Sequence, residues 1–427
     1  MTLRFASLVA AAVMAAAPAM ADLVVPNYSY RTGPYAANGT QYADGFNDYF
    51  TLLNERDSGI GGQKVLTPEC ETAYNTEKGV ECYESLKGQN QLVVAPLSTG
   101  ITYQLIPKVS ADKVTLYTPG LGRTSSKNGA AFEWVFNAPA NYWDGASVAI
   151  KYLLDQNGGS LEGKKIALVY HNSAYGKEPI RTLQELSKKH GFTLTELPVD
   201  APGQEQKSQW LQIRRDKPDY VLMWGWGVMN AAAIQEAANI RFPMENFIGI
   251  WWSGGEVDVE PAGAGANGYK SLTFNGVGMD YPVYDDLKKH VIDTGKASQD
   301  GQYVGSAVYS RGLYAAVVIA EAIRKAQELA GTPEVNAEQV RAGFEALDIT
   351  EARMAELGLP DFGQPIKLSC ANHGGDGHAR IQQWDATAKK WTLISDWIAP
   401  DAEVLDPLIA EDSEAYVKEA GITPRCN

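Results

Sequence analysis

Four of the ten tryptophans fall between residues 224 and 252. Trp224 and Trp226 stand two apart, so they share a face wherever the strand that carries them continues. Trp251 and Trp252 follow directly on the apolar run 247–250. Both pairs therefore sit at the carboxyl ends of predicted parallel strands, where open α/β sheets bind their ligands. Indole faces stack on rings and attract cations, which is recognition chemistry. Gly225, Gly227, Gly254 and Gly255 make these turns open. The alternative role for the same rings is packing beneath loops.

Signatures of catalysis are missing. G-x-S-x-G, H-E-x-x-H and the P-loop do not occur. Gly120-Leu121-Gly122 begins like a dinucleotide fingerprint, but Ser125 stands where the third glycine belongs. Its place after a predicted strand suits a ligand loop in general, and no cofactor is expected. His373-Gly-Gly-Asp376-Gly-His378 holds metal-ligand residue types, yet its glycine content fits a tight turn better, and no metal is expected. His171, His190 and His290 are isolated and read as structural or surface residues.

The elements that would position these groups alternate between strand and helix. Residues 23–26, 64–66, 92–95 and 114–117 read as strands, and 42–53, 71–86 and 145–154 as helices. The pattern repeats with strands at 165–170, 220–224 and 247–250 and helices at 177–189 and 229–238. A long amphipathic helix follows at 314–329. After Leu347 the pattern is less regular, and Trp384, Trp391 and Trp397 lie at strand-like positions. Two cycles of alternation predict two similar α/β lobes, the first running to about residue 140. No flexible Gly/Ser linker separates them, which suits short ordered crossings and a hinge.

The 427 residues carry 51 Asp and Glu against 37 Lys and Arg, a net charge of −14. That balance argues against nucleic acid, which needs a basic footprint, and against an anionic membrane surface. Residues 1–21 read as a secretory signal: Arg4, an apolar stretch over 6–17, then Ala19-Met20-Ala21 as the cleavage site. Export makes the four cysteines candidates for disulfides. Four cysteines allow three connectivities, and the pairing preferred is Cys70–Cys82 with Cys370–Cys426, each closing a modest loop. Free buried cysteines are the alternative.

The whole pattern resembles the type I periplasmic solute-binding proteins of ABC transporters, in the branched-chain amino-acid (Leu/Ile/Val-binding) group. The stretches that carry the resemblance are Ser29-Tyr-Arg-Thr-Gly33-Pro34, Ala95-Pro-Leu-Ser98-Thr99-Gly100, Leu116-Tyr-Thr118-Pro119-Gly120, the run from Lys165 to Gly176, and the run from Pro218 to Trp226. It implies two Rossmann-like lobes with parallel central sheets joined by a three-segment hinge. Residues 22–140 and 277–360 would form the N-terminal lobe, and 141–276 and 361–427 the C-terminal lobe. The resemblance further implies that Ser98 and Thr99 at a helix N-terminus, with the backbone at Gly120 and Gly122, receive a carboxylate. It implies that Tyr175, Trp226 and an aromatic near Tyr303 line the other side of the cleft. Orphan N–H groups and the macrodipole make a helix N-terminus an anion site; Ser98 also suits an ordinary N-cap.

One position departs from the family pattern. Trp251 stands where amino-acid binders carry the acid that pairs with an α-ammonium. Neither Glu256 nor Asp258 nearby is assigned that role. Arg123 is a possible further anion contact. The departure, with the tryptophan cluster, predicts an aromatic or hydrophobic carboxylate or a betaine-like cation as ligand, in place of an ordinary aliphatic amino acid. The resemblance implies a periplasmic monomer that delivers its solute to a permease and ATPase. A periplasmic ligand sensor and an exported enzyme are the rival readings.

Overall fold

The computed structural model describes residues 21–426; the signal segment read at 1–21 lies outside it apart from Ala21. Two separate sheet systems organise the chain. The larger has seven strands in the order Lys390–Leu393, Arg380–Asp385, Lys270–Thr273, Phe247–Gly249, Tyr220–Trp224, Lys165–His171 and Thr193–Val199. The last five are mutually parallel, and the first two join as an antiparallel hairpin at one edge. Lys165–His171 is buried from Ile166 onward, as a continuous apolar run in a parallel sheet should be. Trp384 and Trp391 lie directly opposite one another in the hairpin, their ring centroids 5.3 Å apart.

The other lobe is built from shorter pieces. Leu23–Val24 pairs in parallel with Val65–Leu66, and Asn27–Ser29 with Glu69–Glu71. Val93–Val94, Thr115–Tyr117 and Val135–Phe136 form a parallel trio, tied to the first pair by a bridge from Val24 to Gln91. Helix Ala36–Arg56 packs along helix Ala307–Ala330. A side chain at Gly45 would strike the Tyr309 carbonyl, and one at Gly312 the Tyr42 carbonyl. The two backbones therefore touch at this crossing, and almost every residue from Ala307 to Ile323 is buried. That helix starts seven residues earlier than periodicity suggests, because Ser306 caps it by accepting the Tyr309 N–H.

The chain passes between the lobes at three places. It leaves the first lobe after Val135–Phe136, returns after Lys270–Thr273, and crosses again before Arg380–Asp385. The first and third crossings lie side by side. The Asn137 N–H donates to the His373 carbonyl (3.1 Å) and the His373 N–H to that of Lys127 (2.9 Å), while the His373 ring stacks on Phe136 at 3.8 Å. His373 thus packs as an aromatic wedge. Among the described residues no group of three His, Cys, Asp or Glu is placed to hold a metal ion.

Helix Ala402–Ala420 was not foreseen, and it spans both lobes. At its start the Asp401 N–H donates to Ser147 Oγ (2.5 Å), Lys189 pairs with Asp401 and Glu403, and Leu405 and Leu408 pack on Trp143. Farther along, Asp412 pairs with Arg123 at 2.8 Å and Tyr416 stacks on Phe132 at 4.1 Å. Its end is fixed by the disulfide Cys370–Cys426, and Cys70–Cys82 closes the second bridge.

Candidate functional site

The carboxyl ends of strands Tyr220–Trp224 and Phe247–Gly249 carry their tryptophans to the boundary between the lobes. There Trp226 Nε1 donates to the Tyr30 hydroxyl (2.8 Å). Trp251 Nε1 and Trp252 Nε1 both donate to the carbonyl of Gly120, each at 2.8 Å. Two indoles of one lobe thus converge on a single backbone oxygen of the other. Gly120 has φ +68, and a Cβ there would lie 2.6 Å from the Phe274 ring and 2.8 Å from Trp251 Nε1. Glycine is required at this position on both counts.

The rings form a continuous chain. Trp226 meets Trp252 edge-on at 5.5 Å and Tyr30 at 6.4 Å. Trp251 lies parallel to Tyr142 at 6.1 Å, and Tyr142 leans on Tyr175 at 5.1 Å. Tyr74 contacts Tyr30 and Tyr35, and Tyr42 faces Trp252 at 6.1 Å. Tyr175 donates its hydroxyl to the Gly225 carbonyl (2.9 Å). Burial pushes the phenols of Tyr30, Tyr142 and Tyr175 far above their ordinary range, so all stay neutral donors. Trp224, by contrast, turns into the core, fully buried, with its indole N–H unpartnered.

Ser98 caps helix Thr99–Asp112, its hydroxyl accepting the Ile101 N–H at 3.4 Å. The Gly122 N–H reaches Thr99 Oγ1 at 3.5 Å, which brings the Gly120–Gly122 turn to the start of this helix. Glu178 closes over them from the opposite lobe: it accepts from the Tyr103 hydroxyl and, at 3.0 Å, from Thr124 Oγ1. Burial raises its carboxyl above the usual carboxylate range. A third contact between lobes joins the Tyr35 hydroxyl to His171 Nε2 at 2.7 Å. His171, read from sequence as structural or surface, is 3% exposed, and burial lowers its pKa below the ordinary 6.5.

Two residues lie apart from the ring chain. Tyr303 is half-buried in the turn before helix Ala307–Ala330, its carbonyl accepting the Ser306 N–H, and it makes no ring contact among the described residues. Arg123, considered as an anion contact, is committed to Asp412 and lies 5.2 Å from the rings of both Phe132 and Tyr416.

Sequence reasoning left Asp258 unassigned and overlooked Arg311. Asp258 is buried; it accepts the Asn38 side-chain amide at 3.1 Å and the Gly255 N–H at 2.9 Å. Burial lifts its pKa to about 6. Glu256 accepts the Ala307 N–H at 3.0 Å. Arg311 lies 6.0 Å from the Trp252 ring and is 1% exposed. A signal existed: Arg311 is the only charged residue in the stretch 307–320.

The profile of the family described as periplasmic binding protein matches residues 24–390. A Leu/Ile/Val-binding protein homolog 3 of Brucella melitensis is 27% identical over 201 residues, covering 47% of this chain and 53% of the relative. The match thus spans about half the length of that curated relative. Among solved structures, one described as an ABC transporter permease from the Pseudomonas fluorescens group is 41% identical, with a TM-score of 0.87 over 95% of this chain and 99% of its own. A branched-chain amino acid ABC transporter protein of Thermus thermophilus with bound valine superposes with a TM-score of 0.76 at 18% identity, covering 91% and 99%. An R. palustris solute-binding protein in complex with benzoate gives 0.68 at 17% identity, covering 89% and 97%. With two α/β lobes, three crossings and a family match that takes in both, the chain belongs to the periplasmic binding proteins of type I.

Proposed function

We propose that this protein is the substrate-binding component of an ABC importer of the branched-chain amino-acid type. It captures a small solute between its lobes, and hinge closure encloses that solute. The observation that carries the reading is the convergence of Trp251 and Trp252 on the Gly120 carbonyl, beside the Trp226–Tyr30 contact. Opposed lobes that meet through donors, acceptors and ring faces can exchange those partners for a ligand. Closure is then driven by the ligand's higher affinity for the closed state.

The ligand contacts in this reading are Ser98, Thr99, Gly120, Gly122, Tyr175, Trp226 and Trp251, with Tyr303 at the margin. The substrate class is an aromatic or hydrophobic carboxylate, since indole and phenol rings run along the seam. The benzoate named for the R. palustris neighbour is of that class. The lobes divide near residues 140 and 276, and the third division falls later than 360, between the Ile366–Lys367 strand paired with Asp348–Ile349 and strand Arg380–Asp385. The protein works in the periplasm as a monomer, binding, not transforming, its solute and passing it to a permease and its ATPase.

Titration of tryptophan emission tests this. Aromatic acids should quench at micromolar concentration; quenching by leucine or valine alone would remove the aromatic class. Trp226→Ala should weaken binding by more than about 1 kcal/mol, the scale of a lost aromatic contact. Full ligand protection against melting in that variant would remove Trp226 from the site.

A further inference from the structure

Helix Ala307–Ala330 sends one cation into the interior. Arg311 is 1% exposed, and none of its three guanidinium nitrogens has a hydrogen-bond partner. Buried arginines are ordinarily paired, because their donors are costly to strip of water. The surroundings explain how the charge is tolerated and why its donors are free. Asp258 and Glu256 both act on Arg311 electrostatically, yet neither lies within ion-pair distance of it among the described pairs. Their oxygens are engaged by the Gly255 N–H, the Asn38 amide and the Ala307 N–H. The acids balance the field without filling the fork.

The place of this fork is informative. Arg311 stands 6.0 Å from the Trp252 ring. Trp252 in turn donates to Gly120 and packs against Trp226. The guanidinium therefore lies beside an indole that itself forms part of the seam between the lobes. Tyr42 meets the Trp252 ring at 6.1 Å; Tyr117, a phenol neighbour of both Tyr42 and Tyr314, has a buried and unpartnered hydroxyl, as does Tyr314. Unsatisfied donors thus gather beside the rings of the seam.

We infer that Arg311 receives the carboxylate of the ligand in a planar two-point contact, while the ligand's ring lies against Trp252 and Trp226. This rests on the interlobe site proposed above, moves the carboxylate from Ser98 and Thr99, where the family resemblance puts it, to Arg311, and names the residue that selects for an acidic ligand. The guanidinium fork matches a carboxylate geometrically, which an ammonium does not. A carboxamide offers one acceptor in place of two and no charge, so it should bind poorly. Burial draws the Arg311 pKa down to about 10, which leaves the group charged at neutral pH.

The test uses benzoate, phenylacetate, indole-3-acetate and L-phenylalanine, each beside its carboxamide, with melting temperature and tryptophan quenching as readouts. At least one acid should stabilise the wild type while its amide does not. Arg311→Met should weaken that acid by about 10- to 100-fold, the range for hydrogen bonds to charged groups. Its ligand-free melting temperature should be unchanged or higher, because an unpartnered buried cation has been removed. Arg311→Lys keeps the charge for Asp258 and Glu256 but lacks the fork; it carries the test where the Met variant folds poorly, and should still lose at least about tenfold. Equal binding of an acid and its amide overturns the inference, as does undiminished acid binding in both variants. Failure of all four acids to bind the wild type overturns the ligand class. If Trp226→Ala loses binding while the Arg311 variants keep it, only the role of Arg311 falls. If Trp226→Ala also binds normally, the interlobe site itself falls.

Discussion

Contacts between the lobes fall into two groups of different chemistry. Along the seam, Trp226, Trp251 and Trp252 meet Tyr30 and Gly120, Glu178 meets Tyr103 and Thr124, and His171 meets Tyr35. These are hydrogen bonds between neutral or weakly charged groups, each with a partner that a ligand could replace. Along helix Ala402–Ala420 the contacts are ion pairs, a ring stack between Tyr416 and Phe132, and a disulfide at the end. On the proposed hinge motion, the first set is the one that breaks and is remade as the lobes part, and the second is the one expected to persist. A binding protein needs both, because its closed state must be reachable and its hinge must stay in register.

The largest expected effect lies on the persistent side. Replacing Cys370 and Cys426 with serine removes a bridge across a separation of 56 residues and should lower stability by about 2–5 kcal/mol. Urea unfolding measures this, and ligand affinity should hardly move. A large loss of affinity at unchanged stability would erase the distinction between the two sets of contacts. Next comes Glu178→Ala on the seam. It leaves the hydroxyls of Tyr103 and Thr124 without an acceptor, at about 1–3 kcal/mol in the closed state. Small-angle scattering should then report a larger radius, reversed by saturating ligand. If the variant unfolds with no change in radius, Glu178 belongs with the structural contacts.

The smallest effect is one of pH. Burial holds the His171 pKa below 6.5, against a weaker opposing pull from Asp200. The unfolded chain takes up this proton more readily than the closed protein. Stability from neutral His171 is therefore complete above pH 6.5 and is lost as pH falls through that value toward the lower folded pKa. Melting curves between pH 7 and 5 should show a slope that His171→Gln reduces. An identical slope in both would assign the pH dependence elsewhere.

Much of the frame was legible in the chain. The runs at 165–170 and 220–224 are strands because nothing in them but the first residue suits water, and the tryptophans fall where the runs at 220–224 and 247–250 end. Boundaries set by single side chains were harder to see. The Ser306 cap moved one helix start by seven residues, and Pro198 sits inside strand Thr193–Val199 without ending it. Helix Ala402–Ala420 was missed because Pro407 interrupts its apolar spacing at Val404, Leu405, Leu408 and Ile409. In the site, the ring-bearing residues were visible through their type and clustering. Arg311 was not, because an arginine in a helix normally signals a solvated face. Only packing on all sides, with no acceptor in reach, gives it another meaning.

The C-terminal helix has one more consequence. A helix of 19 residues is a rod of about 28 Å, at 1.5 Å per residue. It resists compression as well as stretching. One end is seated by Ser147 on one lobe, the far half is held by Asp412 and Tyr416 to Arg123 and Phe132 of the other, and the short tail beyond it is tied by Cys426 to Cys370. The lobes are therefore held at a set spacing along this line, as a strut holds two plates, and their freedom lies in swivelling about it. On the proposed function, solute would enter along an edge remote from the strut, and a docking partner would read the relative tilt of the lobes, not their separation, as the sign that the cleft is full.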